Sequence, residues 1–231
     1  MNILITAGAT REPIDVVRFL SNVSTGRTGA RLADALAAQG HRVTLLHGEA
    51  AVRPACVSDT ETFTSTADLQ AALRRRLATG SYDAVIHCAA VSDYKPDTSH
   101  AGKMSSYAAE LTIRLVPTPK LLPELKNYGA PHPLKVIGFK LTAGADAPSR
   151  AAAVAKLLAA GTVDAVIHND MDDLATGEAR PFHAWLAGQP CPESLAGIDG
   201  LILWLTNFCA PNAGAGVNDV PSLSSRPFPR G

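Results

Sequence analysis

Neither of the common nucleotide-binding fingerprints occurs in this chain. No G-x-G-x-x-G follows the first strand and no G-x-x-x-x-G-K-[ST] is found anywhere, which speaks against an ordinary dehydrogenase and a P-loop nucleotide hydrolase. An excess of one charge is also missing. Twenty-one basic and 21 acidic residues give a net charge of zero, so nucleic acid and acidic membrane surfaces gain no support as partners. Cysteine is sparse: Cys56, Cys88, Cys191 and Cys209 are scattered without C-x-x-C spacing. That argues against a metal or disulfide framework and for reduced thiols, as in the cytoplasm. No apolar run reaches the length of a membrane span. The chain opens directly on a strand, without a basic segment ahead of an apolar one, so no signal peptide is expected.

What is present is a globular composition, 46% hydrophobic with a mean hydropathy of +0.07 over 231 residues. Apolar strands and amphipathic helices alternate. Strands are predicted over residues 3–6, 42–47 and 84–88, with helices over 29–39 and 67–78 between them. Gly40 closes the first helix, and Ser65 or Thr66 caps the second. This β-α-β-α-β order predicts an α/β fold with a doubly wound, mainly parallel, Rossmann-like sheet.

Residues 93–108 are polar and small and read as a flap. Residues 110–116 alternate and read as an antiparallel strand. Pro119 is expected in the first turn of a short helix ending near Gly129. Strands follow at 134–139 and 163–168, around a helix capped by Ser149 and running to Ala160. Residues 182–186 form a hairpin arm and 195–209 a terminal helix, so a small antiparallel extension completes the sheet. Residues 1–210 read as one domain. Gly, Pro, Ser and Ala dominate residues 211–231, which read as a disordered tail.

The first thirty residues carry the most information. The strand runs into Ala7-Gly8-Ala9-Thr10, and a second polar turn, Asn22-Val23-Ser24-Thr25-Gly26, precedes the first helix. At the carboxyl end of a parallel strand, small residues and a helix N-terminus let backbone N–H groups meet phosphate. Taken alone, the Gly8-Ala9-Thr10 triplet reads first as a tight βα turn with no ligand.

With Thr6, Gly8, Thr10, Glu12, Ile14, Asp15, Val17, Arg18, Asn22, Ser24, Gly26 and Gly29 in place, this opening resembles that of the phosphopantothenoylcysteine synthetase (phosphopantothenate–cysteine ligase) family. Further matches follow in the family's order: Ala89-Ala90-Val91-Ser92-Asp93-Tyr94, Gly102-Lys103-Met104-Ser105-Ser106, Thr118-Pro119-Lys120-Leu121-Leu122, Gly138-Phe139-Lys140-Leu141 and Ala165-Val166-Ile167-His168-Asn169-Asp170. The resemblance implies a two-step reaction in coenzyme A biosynthesis. The carboxylate of 4'-phosphopantothenate attacks the α-phosphate of CTP or ATP, giving an acyl-nucleotide and pyrophosphate. The amine of L-cysteine then displaces the nucleoside monophosphate. It implies Mg²⁺ and a homodimer in which the loop around Asn22 reaches the partner's site.

The resemblance also assigns roles. Asn22 becomes the catalytic amide that holds and polarises the acyl-nucleotide, a suitable role for a donor that is not a nucleophile. Arg18 joins it in binding the substrate. Lys103, the sole lysine of the flap, closes over the phosphates as a second catalytic group. Gly8, Ala9, Thr10, Ser24, Thr25, Gly26, Ala89, Ala90, Asp93, Pro119, Phe139 and Lys156 line the nucleotide site, with Asp93 also the metal ligand. Read from the residues alone, Asp93 serves equally as a turn cap, Phe139 as a core residue and Lys156 as a surface lysine.

The chain departs from the family's pattern at Ala9, where a second glycine is usual. It also departs at the flap, where one lysine stands for several, and at Ala159-Ala160-Gly161, where a second lysine is lost. Because the chain opens at the synthetase's first strand, a standalone ligase is expected rather than a fusion with a flavin-dependent decarboxylase. Two other readings stay open. One is an NAD(P)-binding Rossmann oxidoreductase, weakened by the absence of a Tyr-x-x-x-Lys pair after Tyr94. The other is a non-catalytic nucleotide-binding paralogue.

Overall fold

A computed structural model describes residues 1–210 apart from 106, 108, 174–179 and 190. The segment read as a disordered tail, 211–231, lies outside the described residues. The main chain runs β1 (Asn2–Ala7), β2 (Arg11–Pro13), β3 (Phe19–Ser21), α1 (Arg27–Ala38), β4 (Arg42–Gly48), β5 (Thr60–Phe63), α2 (Thr66–Leu77), β6 (Ala84–His87) and β7 (Tyr94–Pro96). It continues with β8 (Leu115–Pro117), a 3-10 turn (Leu122–Glu124), α3 (Leu125–Gly129), β9 (Lys135–Thr142), α4 (Ala147–Ala159), β10 (Ala165–Asp170), β11 (Phe182–Leu186), β12 (Glu193–Leu195) and α5 (Gly197–Cys209).

Eight strands form one sheet in the order β12-β11-β10-β9-β6-β1-β4-β5. From β5 to β10 every neighbouring pair is parallel, and β11 and β12 extend the edge antiparallel. The central strands are buried on both faces, which is why β6 and β10 read as nearly continuous apolar runs. Ile3, Ile5, Val43, Leu45 and Ile86 face α1 and α5, meeting Leu32, Leu36, Leu201 and Leu205. Their alternating neighbours Leu4, Leu46, Val85, Val136 and Val166 face the other way, onto Leu69, Leu73 and Leu77 of α2, Leu125 of α3 and Val154 of α4. Helices therefore cover both faces, as the sequence predicts. Each such leucine contributes about 1.5–3 kcal/mol by leaving water.

The path goes outward from β1 to β4 and β5, then returns through α2 to β6 on the other side of β1. The sheet reverses direction between β1 and β6, and a doubly wound sheet opens its ligand crevice at such a reversal, beyond the strand ends.

Four local expectations are corrected. Only Leu115–Pro117 of the strand read over 110–116 is paired, antiparallel to Tyr94–Pro96, because that partner is three residues long. Pro119 precedes the helical turn rather than starting it; Pro123 takes the early position in the 3-10 turn. Ser149 does not cap α4. The Asp146 carboxylate accepts from the Ser149 amide at 2.9 Å, and Pro148, needing no N–H partner in the first turn, lets the helix begin upstream. Finally, the flap read over 93–108 opens on a paired strand, β7, and residues 11–21, to which the sequence assigns no element, form the β2–β3 hairpin. The capping of α2 follows expectation: Ser65 and Asp68 exchange side-chain and amide bonds in a capping box. Among the described residues no helix is long and apolar enough to cross a membrane.

Candidate active site at the β1–β6 crevice

The crevice is built from small residues. Beyond the strand ends Ala9 and Ala90 continue the pairing as a parallel bridge. The Ala90 amide donates to the Gly8 carbonyl at 2.8 Å, and the Thr10 amide to the Ala90 carbonyl at 3.2 Å. Gly8 and Gly26 both have positive φ, +83° and +71°, and a Cβ on either would fall within 2.7 Å of the Ala51 methyl. A Cβ on Gly29 would lie 2.5 Å from that of Ala7. Only glycine lets the start of α1 close against the end of β1 in this way. Gly26 gives α1 no side-chain cap and the first turn holds no acidic residue, so the positive end of the helix dipole is not neutralised there. Ser24 is half-buried and Thr25 exposed on the same turn.

The β2–β3 hairpin lies over this crevice. The Ser21 hydroxyl donates to the Thr10 carbonyl at 2.8 Å, and the Glu12 carboxylate accepts from the amide and hydroxyl of Thr66 at 2.9 and 2.7 Å. Glu12 thus anchors the hairpin to the start of α2. Asn22, exposed at the end of β3, donates its Nδ2 to the Val91 carbonyl at 3.2 Å. Arg18 is ion-paired with the buried Asp15 at 2.5 Å. Burial alone would raise the Asp15 pKa, but bonds from the Val17, Met104 and Arg18 amides and the Arg18 guanidinium hold it at about 2. Lys103 is exposed on the flap, next to Met104, whose amide donates to Asp15 at 3.1 Å. The structure therefore gathers Arg18, Asn22 and Lys103 around one hairpin.

Thr10 requires a correction. Its side chain is fully buried, and its hydroxyl accepts from the Ser92 amide at 3.0 Å and lies 3.3 Å from the Thr66 hydroxyl. It holds the β6 exit loop in place and is shut off from solvent. Asp93 is exposed at the strand end, as predicted, with its carboxylate against the Lys120 ammonium. Among the described residues no three His, Cys, Asp or Glu side chains cluster as a metal site. Ala89 and Ala90 are half-buried beside Asp93, and Pro119 is exposed next to Lys120.

Phe139, on β9, packs partly buried against the core on the α1 face. Lys156 is exposed in the last turn of α4. Nine residues separate it from the start of that helix, about 14 Å along the axis. The helix starts at the carboxyl edge of the sheet and runs away from it, so the structure does not bring Lys156 together with the others.

Two features go beyond the sequence reading: the bonding of Asp170, which the sequence places at the end of the last strand, and the position of Arg180. Asp170, fully buried at the end of β10, accepts from the Thr142 hydroxyl at 2.5 Å, pairs with Arg150 at 3.2 Å and accepts from the Gly144 amide at 3.3 Å. The Thr142 bond and the Asp172 amide hold its carboxyl below the usual range against burial. The neighbouring His168 ring lies 2.9 Å from the same Thr142 hydroxyl. The second feature is Arg180. Its Nη2 donates to the Thr28 hydroxyl in the first turn of α1 at 2.5 Å, and its guanidinium covers the Phe182 ring at 4.9 Å. Burial lowers its pKa. A single arginine in an aperiodic stretch gives no sequence signal; the chain crossing that places it over α1 is purely tertiary.

Residues 1–183 match the family described as DNA/pantothenate metabolism flavoprotein C-terminal domain. The chain is 30% identical over 176 residues to the coenzyme A biosynthesis bifunctional protein CoaBC of Thermococcus kodakarensis, covering 76% of this chain and 43% of that protein. It therefore spans less than half the length of that curated relative. The crystal structure of the DNA/pantothenate metabolism flavoprotein from Streptococcus pneumoniae superposes with a TM-score of 0.80 at 25% identity, covering 90% of this chain and 97% of that one. The C-terminal domain of a CoaBC bifunctional protein gives 0.69 at 25% identity, with 90% and 92% covered.

Proposed function

The chain belongs to the family of the DNA/pantothenate metabolism flavoprotein C-terminal domain, and from that premise we propose that it is a phosphopantothenate–cysteine ligase of coenzyme A biosynthesis. The observation that carries this reading is coverage. The chain covers 92% of an isolated CoaBC C-terminal domain, and what supports the reading further is the pair of glycine- and alanine-lined turns, Gly8-Ala9 and Ala89-Ala90, that face each other where β1 and β6 end. Activating a carboxylate with a nucleotide is chiefly positioning and charge stabilisation, and the residues here are suited to that.

In this mechanism the nucleotide lies against Gly8, Ala9, Ala89 and Ala90, whose small side chains permit close approach to backbone N–H groups. The start of α1, with Gly26 and Thr25, faces its phosphates. Arg18 holds the phosphopantothenate. Its carboxylate attacks the α-phosphate, the bond to the β-phosphate breaks, and pyrophosphate leaves with the displaced charge. Lys103 offsets that charge from the flap. Asn22 turns its Nδ2 from the Val91 carbonyl to the acyl oxygen. The cysteine amine then attacks the acyl carbon, loses a proton, and expels the nucleoside monophosphate.

Asp93, paired with Lys120 in this structure, is the residue that would hold a magnesium ion through its hard carboxylate oxygens. Bound there, the ion would screen the phosphate charge. CTP and ATP are both admissible nucleotides. A homodimer fits the hairpin surface, where Val16, Val17, Phe19 and Val23 are 63%, 59%, 48% and 97% exposed.

The test is pyrophosphate release by the purified protein with phosphopantothenate, Mg²⁺ and either CTP or ATP, with and without cysteine. Release that requires phosphopantothenate, followed by monophosphate on adding cysteine, supports the ligase and names its nucleotide. No release with either nucleotide overturns it and leaves a nucleotide-binding paralogue.

A further inference from the structure

We propose that Asp15 is a positioning residue: its one buried carboxylate fixes Arg18 on the hairpin and Lys103 on the flap relative to each other. The division of labour between its two oxygens carries the argument. Oδ1 accepts from the Val17 and Arg18 amides, each at 2.8 Å, and this alone closes the turn. Oδ2 is not needed for the turn. It accepts instead from Arg18 Nη1 at 2.5 Å and from the Met104 amide at 3.1 Å, 89 residues along the chain. Arg18 Nη1 in turn approaches the Met104 carbonyl at 3.4 Å. Both backbone groups of Met104 are thus met by a side-chain ion pair, in the connection between the end of β7 and the start of β8.

A second tie lies four residues earlier, where the His100 amide donates to the Ile14 carbonyl at 3.0 Å. The stretch from His100 to Met104 is fastened to the hairpin at both ends, and Lys103 lies within it. A lysine on an untethered loop samples a wide volume; one beside an anchored residue is restricted to the reach of its own side chain. The anchor is strong because a carboxylate taking four donors stays ionised, and charge-assisted bonds exceed neutral ones. The role of Lys103 and Arg18 toward substrate rests on the ligase reading; the latch itself does not.

The experiment has two arms on the full chain. In the first, amide hydrogen exchange is followed without substrate in the wild type and in Asp15→Asn. The Met104 amide is expected to exchange faster on the order of tenfold, while β1 and β6 keep their protection. Unchanged exchange at Met104 overturns the proposal. Arg18→Lys keeps the turn and the charge but withdraws the fork from the Met104 carbonyl. It is expected to accelerate Met104 about threefold, and it decides the matter by the same criterion if Asp15→Asn fails to fold.

The second arm measures pyrophosphate release in Asp15→Asn, Lys103→Ala and the double variant. Because Asp15 acts on Lys103 through Met104, the double variant should lose about fivefold less than the product of the single losses. Losses that simply multiply overturn the coupling. A wild type that releases no pyrophosphate refutes the ligase reading alone, and the exchange arm still judges the latch.

Discussion

Asn22 and Val91 join the hairpin to the end of the sheet, with the Asn22 side-chain amide donating to the Val91 carbonyl across 3.2 Å. The bond is exposed and neutral, so it exchanges readily for a stronger one to a developing oxyanion. Its direction holds the amide at the crevice before any substrate arrives.

Asn22→Ala should therefore lower kcat by about 10²–10³-fold, the usual cost of removing one oxyanion donor. Melting temperature should shift by no more than about 2 °C, because the side chain is exposed and no core contact is lost. Steady-state pyrophosphate release and a thermal melt check this. A loss confined to KM would reassign Asn22 to binding.

His87 sets an acid-side limit on stability. Its Nδ1 lies 2.9 Å from the Thr6 hydroxyl, and burial pushes its pKa down from 6.5 to about 4. The unfolded chain takes up this proton first as pH falls, so the contribution is complete above 6.5 and is lost progressively between 6.5 and 4. The size is about 3 kcal/mol. His87→Asn should flatten the dependence of urea midpoint on pH across that window. His41 and His168 are displaced in the same direction by burial, so a slope that survives in the variant belongs to them.

The parts legible in the sequence are those governed by local rules. Apolar runs in β6 and β10, the capping box at Ser65 and Asp68, and Gly40 after α1 all announce themselves within a few residues. Other features depend on what lies across the fold. Thr10 reads as a phosphate donor because hydroxyls beside glycine turns often are; the incoming Ser92 amide turns it inward. Arg180 meets Thr28 from 152 residues away, a distance no pattern encodes. The family resemblance puts Lys156 at the nucleotide, while the direction of α4, known only once β9 and β10 are paired, carries it away from the crevice.

The glycines at the crevice give a test of packing against backbone strain. Gly8→Ala forces a Cβ to 2.6 Å from the Ala51 methyl at φ +83°. The two penalties together should cost about 2–4 kcal/mol. Ala51→Gly in the same chain removes the shortest contact and leaves the strained φ and the 3.2 Å approach to the Gly48 amide nitrogen, so it should recover part of the loss and leave about 1–2 kcal/mol. Denaturant midpoints of the wild type, the two variants and Ala51→Gly alone separate the terms. Full recovery would mean that the backbone there relaxes freely, and that glycine is needed at Gly8 only for space.

The thiols decide whether the protein itself could carry the activated acyl group. Cys88 leaves β6 beside Arg180, a cation that favours thiolate, yet burial wins and pushes its pKa up to about 12. Cys209, at the end of α5, is raised to about 11 by burial with Lys135 opposing. At pH 8 the Cys88 thiolate is only about one part in ten thousand, too little for a nucleophile. Cys56 and Cys191 are exposed. Iodoacetamide at pH 8 should therefore modify Cys56 and Cys191 in the native protein, the half-buried and un-ionised Cys88 far more slowly than either, and the buried Cys209 only after denaturant is added. Peptide mass mapping over time reads this directly. On the ligase reading, slow labelling of Cys88 removes it as a covalent carrier and is what direct passage of the acyl group from nucleotide to amine requires. Rapid native labelling of Cys88 would instead place a reactive thiol at the mouth of the β1–β6 crevice and reopen a covalent route.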